Sequence, residues 1–179
     1  MDHIRINDKL RLEKINLSMA PVIFETIERD RTYLREWLPF VDLTKQVSDT
    51  EKFIAEITRK ENNKNEIFSI WYNEEFAGLI GFKDTDWVNL KTEIGYWLAE
   101  KMQGKGIITL SVKKLIEFAF IKLKLNRIQI KTAEQNSRSE SIPKRLKFKF
   151  EGIEREGELH LNNYLNLKVY SLLKSDWLQ

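Results

Sequence analysis

The stretch Glu100–Ser111, EKMQGKGIITLS, sets Gly104 and Gly106 on either side of Lys105, just before a long amphipathic run. The residues that follow carry Ile108, Val112, Leu115, Ile116, Ala119 and Leu123 at the three-and-four spacing of a core-facing helix. Lys113, Lys114, Glu117 and Lys122 fall on the opposite face. The residues before it, TEIGYWLA (92–99), are β-prone, with Gly95 marking a bulge or a close backbone approach. Met102–Ile108 is therefore predicted to be a strand-to-helix turn. The first amides of such a helix lack partners within it and stand at the positive end of its dipole. Glycines at 104 and 106 let successive amides converge on an anion, and Lys105 adds a positive charge. Two phosphate motifs fail here. Walker A needs Ser or Thr after its lysine, where Gly106 stands, and the dinucleotide fingerprint needs a glycine at position 109, which is Thr. Gly-Lys-Gly alone also suits an ordinary flexible turn.

Working outward, LRLEKI (10–15) alternates as a strand, and 20–38 reads as a helix stopped by Pro39. A second helix is expected from Ser48 or Asp49, either of which can cap it, to Asn62. Its first turn holds Glu51, and Phe53, Ile54 and Ile57 face inward. EIFSIWY (66–72) and FAGLIGF (76–82) form a hairpin about Asn73-Glu74-Glu75. RIQIKT (127–132) is a short strand. A short helix follows, beginning near Glu140 or Ser141, because Pro143 suits only a first turn. The tail alternates over 147–153 and 157–173, with a turn at Asn162-Asn163. This order implies an α/β or α+β protein of mixed strand direction, a single domain over residues 1–179.

Composition narrows the chemistry. Apolar residues make up 42% and charged residues 32%, the balance of a globular chain rather than a disordered one. Thirty Lys plus Arg against 27 Asp plus Glu leave +3, too mild for a dedicated nucleic-acid binder, so none is expected as a direct partner. The absence of Cys excludes disulfides, zinc-thiolate sites and a Cys nucleophile, and two histidines make a multi-histidine metal site untenable. No metal is expected. Met1–Leu10 carries no cationic-then-apolar leader, and no apolar run approaches membrane-spanning length, so the expected compartment is the cytoplasm, with no membrane partner.

Gln103-Gly104-Lys105-Gly106-Ile107-Ile108 resembles motif A of the GNAT superfamily of N-acetyltransferases, Q/R-x-x-G-x-G/A, and EIGYWLAEKM (93–102) looks like the strand that carries acetyl-CoA there. Three further blocks resemble the RimJ/RimL-type ribosomal-protein N-terminal acetyltransferases: RDRTYLREWLPFVD (29–42), NSRSESIPKRLKF (136–148) and EGIEREGELHLNNYLNLKVYSLLKSDW (151–177). The resemblance runs through nearly the whole chain, in order. Two positions depart from the pattern: Ile108 is bulkier than the usual small residue, and Lys147-Phe148 replaces Gly-Phe.

The resemblance implies a mixed, mostly antiparallel sheet of about six or seven strands, flanked by about four helices and splayed where the cofactor binds. It implies direct transfer of acetyl from acetyl-CoA to an amine, most simply a protein N-terminal α-amine such as that of a ribosomal protein. Small-molecule acceptors (a polyamine, an amino acid or an aminoglycoside) and a non-catalytic acyl-CoA sensor are the alternatives, and a homodimer is compatible with it. Gln103, Gly104, Lys105, Gly106, Ile107 and Ile108 would hold the pyrophosphate through backbone amides, with Arg138 or Lys144 meeting another phosphate. Backbone of Trp97 and Leu98 would lie beside the pantetheine, an N–H of that strand would stabilise the thioester oxygen, and Asn136 would hydrogen-bond the pantetheine. Ser139 would protonate the departing sulfur, although Asn136 and Ser139 also suit helix capping. Glu158 is the first choice of base, then Glu93, then His160. Trp37 and Phe40 would wall the acceptor cleft or belong to the core.

Overall fold

A computed structural model describes residues 3–59, 61 and 64–178. Eight strands form one sheet: β1 (His3–Arg5), β2 (Leu10–Lys14), β3 (Glu66–Tyr72), β4 (Glu75–Asp86), β5 (Lys91–Leu98), β6 (Arg127–Ala133), β7 (Lys149–His160) and β8 (Asn163–Leu173). Their spatial order is β1-β2-β3-β4-β5-β6-β8-β7, antiparallel throughout except for the parallel β5–β6 pair. The strand beyond the expected number is β1, three residues that are too short to display a period. Six helices are α1 (Ala20–Arg29), α2 (Arg31–Arg35), α3 (Val47–Ile57), α4 (Ile107–Glu117), α5 (Ser137–Arg145) and α6 (Lys174–Trp177).

Two apolar clusters sandwich the sheet. On one face Ile23 and Ile27 of α1, Ile54 of α3, Leu79 and Trp97 pack together. On the other, α4 delivers Val112, Leu115 and Ile116 onto Ile80, Phe82, Ile94 and Ile128. Strand β4 supplies residues to both clusters, which is why FAGLIGF reads as a continuous apolar run rather than an alternation.

Several elements differ from their local reading. The helix expected over 20–38 bends at Asp30, which ends α1 and precedes α2. The Asp30 carboxylate is 7% exposed and accepts from Arg29 at 2.8 and 3.0 Å and from the Glu100 amide at 2.9 Å. Burial alone would raise its pKa, but Arg29 and that amide outweigh burial and hold the carboxyl below its ordinary range. Helix α3 begins at Val47 after Gln46. Asp49 lies in its first turn, accepting from the Lys45 and Gln46 amides at 3.1 and 3.2 Å, so neither Ser48 nor Asp49 is the cap and Glu51 falls in the second turn. It ends at Ile57 rather than at Asn62, which lies outside the described residues; Phe53 is 39% exposed while Ile54 is fully buried. The helix after the glycines ends in a wider π turn over Phe118–Lys122, closed by Leu123 N–H donating to Phe118 O at 3.1 Å. The β3–β4 turn is Asn73-Glu74, both at positive φ, with Glu75 already in β4. His160 pairs with Asn163, so the β7–β8 turn is Leu161-Asn162, one residue earlier than the two asparagines suggest.

Helix α5 corrects the proline argument. Asn136 caps it, its Oδ1 accepting from Ser139 N–H at 3.0 Å, and the helix starts at Ser137 with Pro143 inside. A residue at 143 would ordinarily donate its N–H to the Ser139 carbonyl, and proline has none to give. The Tyr96 phenol, arriving from β5, donates to that carbonyl at 3.1 Å instead. A side chain 43 residues away in sequence thus replaces the missing backbone bond.

Candidate active site

Strands β5 and β6 pair only at Lys91–Arg127, Thr92–Ile128 and Glu93–Gln129, and then part. Beyond that point β5 is held by β4 alone. The Ala99 amide donates to Ala77 O at 2.7 Å, and antiparallel alternation then directs the polar backbone of Trp97 toward β4 and that of Tyr96 and Leu98 into the opening. The Trp97 carbonyl lies so near Gly78 that a Cβ there would stand 2.2 Å from it. Tyr96 and Leu98 therefore turn their amides and carbonyls to the opening, while Trp97 turns its own to β4.

At the end of β5 the chain enters the glycine turn. Gly104 and Gly106 have φ of +72° and +73°, a left-handed conformation that glycine adopts freely. Gly106 is the N-cap of α4. Leu110 N–H is the first to fold back on the helix, to Gly106 O at 3.1 Å, so the amides from Gly104 to Thr109 meet no protein acceptor among the described residues. A Cβ at either glycine would have no heavy atom within 4 Å. The turn thus presents bare amides to open space at a helix N-terminus.

That space is a cavity of about 980 Å³. Its walls hold Trp97, Leu98, Gln103, Gly104, Lys105, Gly106, Ile107, Ile108, Asn136 and Ser139, every cofactor-binding residue read from the sequence and one of the two catalytic ones. Arg138 Nη1 donates to Gln103 Oε1 at 3.0 Å, tying α5 to the turn, whereas Lys144 is outside the wall and paired with Glu140 at 2.8 Å. Lys105 lies over the Tyr72 ring, 5.6 Å from its centre, so its charge is parked rather than free. Trp37 lines this cavity, and Phe40 lines a smaller one beside it.

The sequence reading passed over Tyr96 and Arg145. Tyr96 lines the cavity, and besides donating to the Ser139 carbonyl it accepts from Ser139 Oγ at 3.3 Å. Burial pushes its phenol up to about 12, only partly offset by the serine, so it remains a neutral donor. Arg145 donates to Thr109 Oγ1 at 2.7 Å, and both line the cavity. Its seven-residue spacing from Arg138 puts both on one helix face, a signal lost when Pro143 is placed in the first turn of a helix that begins near Glu140 or Ser141.

The three carboxylate and imidazole candidates lie elsewhere. None of Glu158, Glu93 and His160 lines the cavity. Glu93 is buried where β5 and β6 part, 2.7 Å from Lys83 Nζ and accepting from Gln129 at 3.0 Å. Burial opposes the Lys83 ammonium, but Glu93 and, more weakly, Glu158 keep its pKa above the ordinary value. Glu158 is half-buried on β7 opposite Leu165, its carboxylate making no hydrogen bond or close ion pair among the described residues. His160 is buried, with Nδ1 unpartnered.

Residues 9–149 match the family described as Acetyltransferase (GNAT) domain. The chain belongs to that family. As a GNAT member it is an N-acetyltransferase that takes its acetyl group from acetyl-CoA. It is 36% identical over 177 residues to a Bacillus subtilis (strain 168) protein provisionally named ribosomal N-acetyltransferase YdaF, covering 97% of this chain and 96% of the relative. It is 26% identical to the ribosomal-protein-serine acetyltransferase of Escherichia coli (strain K12), covering 94% of each. Among solved structures it is similar to the microcin C7 self-immunity acetyltransferase MccE in complex with acetyl-CoA and AMP, with 28% identity, 96% of each chain covered and a TM-score of 0.91. The cavity of this acetyltransferase fits such an acyl donor: unpartnered amides and the cations Arg138 and Arg145 surround a space no protein atom fills. No helix among the described residues is long and apolar enough to cross a membrane.

Proposed function

We propose that this acetyltransferase acts on the α-amine of a protein N-terminus, with a ribosomal protein as the acceptor. The observation that carries this reading is the pairing of a built acyl-CoA cavity with end-to-end similarity to a relative named for ribosomal acetylation. Acetyl-CoA supplies an activated thioester; the chain's residues supply the rest.

The amides from Gly104 to Thr109 bind a diphosphate, assisted by the dipole of α4; the Gln103 amide does not take part, because it donates to Glu100 O at 3.2 Å. Arg138 and Arg145 stand ready for further phosphate charge, and Lys105 can swing from Tyr72 to join them. The free edge of β5 at Tyr96 and Leu98 accepts an extended arm as an added strand would be accepted. One of its amides faces the carbonyl oxygen on which charge develops, already oriented before the reaction. Asn136 uses Oδ1 as a cap, leaving its Nδ2 group to bond the arm.

Ser139 delivers a proton to the departing sulfur. Its position is set by the Asn136 cap on its amide and by Tyr96 on its carbonyl and hydroxyl. Glu158 accepts the proton released from nitrogen, through water; in its cluster Glu93 is committed to Lys83 and Gln129, while Glu158 is not. The demand on this base is small, because an α-amine titrates near about 7.7–8.0.

Thiol release from acetyl-CoA, measured against free-N-terminus peptides, polyamines and aminoglycosides, tests this assignment. Turnover with peptides alone is the expected result. Turnover with small amines alone would transfer the assignment to a small-molecule acceptor, the reading that the AMP-bound structural relative favours. Release with no amine would leave the sensor reading.

A further inference from the structure

We propose that a second, apolar cavity beneath α1 and α3 receives the side chain of the acceptor's first residue and selects a large uncharged one. This rests on the peptide-acceptor reading above. The cavity measures about 380 Å³. Its floor is the β4–β5 pair from Leu79 to Lys83 and from Gly95 to Trp97, and its cover includes Ile23 and Ile27 of α1 and Phe53 of α3. Tyr96 and Trp97 stand in the walls of both cavities, which places this one directly beside the acyl-donor site.

Three features define what it holds. Gly95 has no side chain, and a Cβ there would meet only the Lys83 chain at 3.8 and 3.9 Å, so the floor is open where β5 passes. Thr50 is 3% exposed and lines the cavity, and its Oγ1 has no hydrogen-bond partner among the described residues. A hydroxyl buried without a partner is a rare state that a polar atom of an occupant relieves. Finally, the two charged groups in the wall already have ionic partners. Asp49, besides accepting from the Lys45 and Gln46 amides, lies 3.5 Å from Lys52 Nζ, and Lys83 is paired with Glu93. The cavity therefore offers no free countercharge, and a charged side chain would enter it unpaired. A small side chain would enter and leave much of the apolar wall uncovered. Leucine, methionine and phenylalanine suit it, and the methionine sulfur can accept from Thr50.

The test uses peptides identical except at the first residue (Leu, Met, Phe, Ala, Ser, Glu or Lys), with kcat/KM read by thiol release at saturating acetyl-CoA. Leu, Met and Phe peptides are expected to exceed Ala and Ser by about tenfold or more, and Glu and Lys by about a hundredfold. In Thr50→Leu, which narrows the cavity and removes its unpartnered hydroxyl, the advantage of Leu over Ala should shrink below about threefold, while CoA still raises Tm as in the parent protein. Equal turnover of all peptides, or turnover of Glu or Lys peptides as fast as Leu, overturns the cavity assignment and leaves the N-terminal acetyltransferase standing. An undiminished Leu preference in Thr50→Leu overturns it too, since the selection would then lie elsewhere. Release with small amines and no peptide overturns the peptide-acceptor reading itself, and the cavity assignment falls with it. The peptide series on the unaltered protein decides the matter even if Thr50→Leu fails to fold.

Discussion

Two pairs of glycines show how one residue type serves two masters. In β4, a Cβ at Gly81 would lie 2.4 Å from the Glu66 carbonyl oxygen, and one at Gly78 2.2 Å from that of Trp97. At Gly81 glycine exists because protein backbone already occupies the space, and at Gly78 the same crowding adds to a φ of +152°. At Gly104 and Gly106 the demand is conformational, a φ near +70°, and the space in front is empty. The first pair serves the fold. The second leaves room for something the chain does not itself contain.

Substitution can break that comparison. Gly81→Ala should lose about 3 kcal/mol or more of stability, because rigid backbone must move, while CoA affinity of the folded fraction stays within about threefold. Urea denaturation and calorimetric titration would read both, and a stable Gly81→Ala protein would erase the distinction. Gly106→Asp should do the reverse. Asp tolerates the left-handed region at about 1–2 kcal/mol, but its carboxylate would repel a diphosphate bound to the turn's amides, weakening CoA binding by about a hundredfold or more. Unchanged affinity would remove the turn from the site.

The comparison extends to Tyr96, which serves fold and site together. Tyr96→Phe should lower kcat about tenfold or more, with little change in KM for acetyl-CoA, and reduce stability by about 1–2 kcal/mol. Adding Pro143→Ala gives the Ser139 carbonyl its backbone donor again. Stability should then return while kcat stays low, because the serine hydroxyl still lacks its partner. Recovery of kcat would show that only the carbonyl mattered.

Acid should loosen α5 before β4. Glu140, next to Ser139, accepts from Lys144 at 2.8 Å, Tyr170 at 2.6 Å and Lys168 at 3.2 Å, and these bonds lower its pKa to about 2. A depressed folded-state pKa adds stability that is complete above the unfolded value near about 4.3 and is lost as pH falls toward 2. Hydrogen exchange should show α5 loosening across that window before β4 does, and Glu140→Gln should flatten the dependence. The smallest effect expected is that of Glu158→Gln, about three- to tenfold in kcat at pH 7 and fading near pH 9, where the amine is already neutral. A pH-independent loss would argue for a structural role.

Much of this was legible in the chain itself. Val112, Leu115 and Ile116 form a buried helical stripe, and the stripe is written in their spacing. The glycine turn was equally visible, because positive φ at a helix start is a local demand. Tyr96 was not. Its role depends on a carbonyl that Pro143 leaves free on a distant helix, and no window of sequence contains both. Arg145 was hidden by the same proline, and the bend at Asp30 by the Glu100 amide 70 residues away.

By itself, then, the sequence determined the order of the elements, the faces they bury and the turn that exposes its amides. Periodicity and backbone preference act over a few residues, so they can be read there. Only the tertiary structure decided where β5 and β6 part, which carboxylates are already committed and how Ser139 is aimed. Those outcomes depend on strand register and on side chains meeting across long stretches of chain, and a neighbour in space leaves no mark on neighbours in sequence.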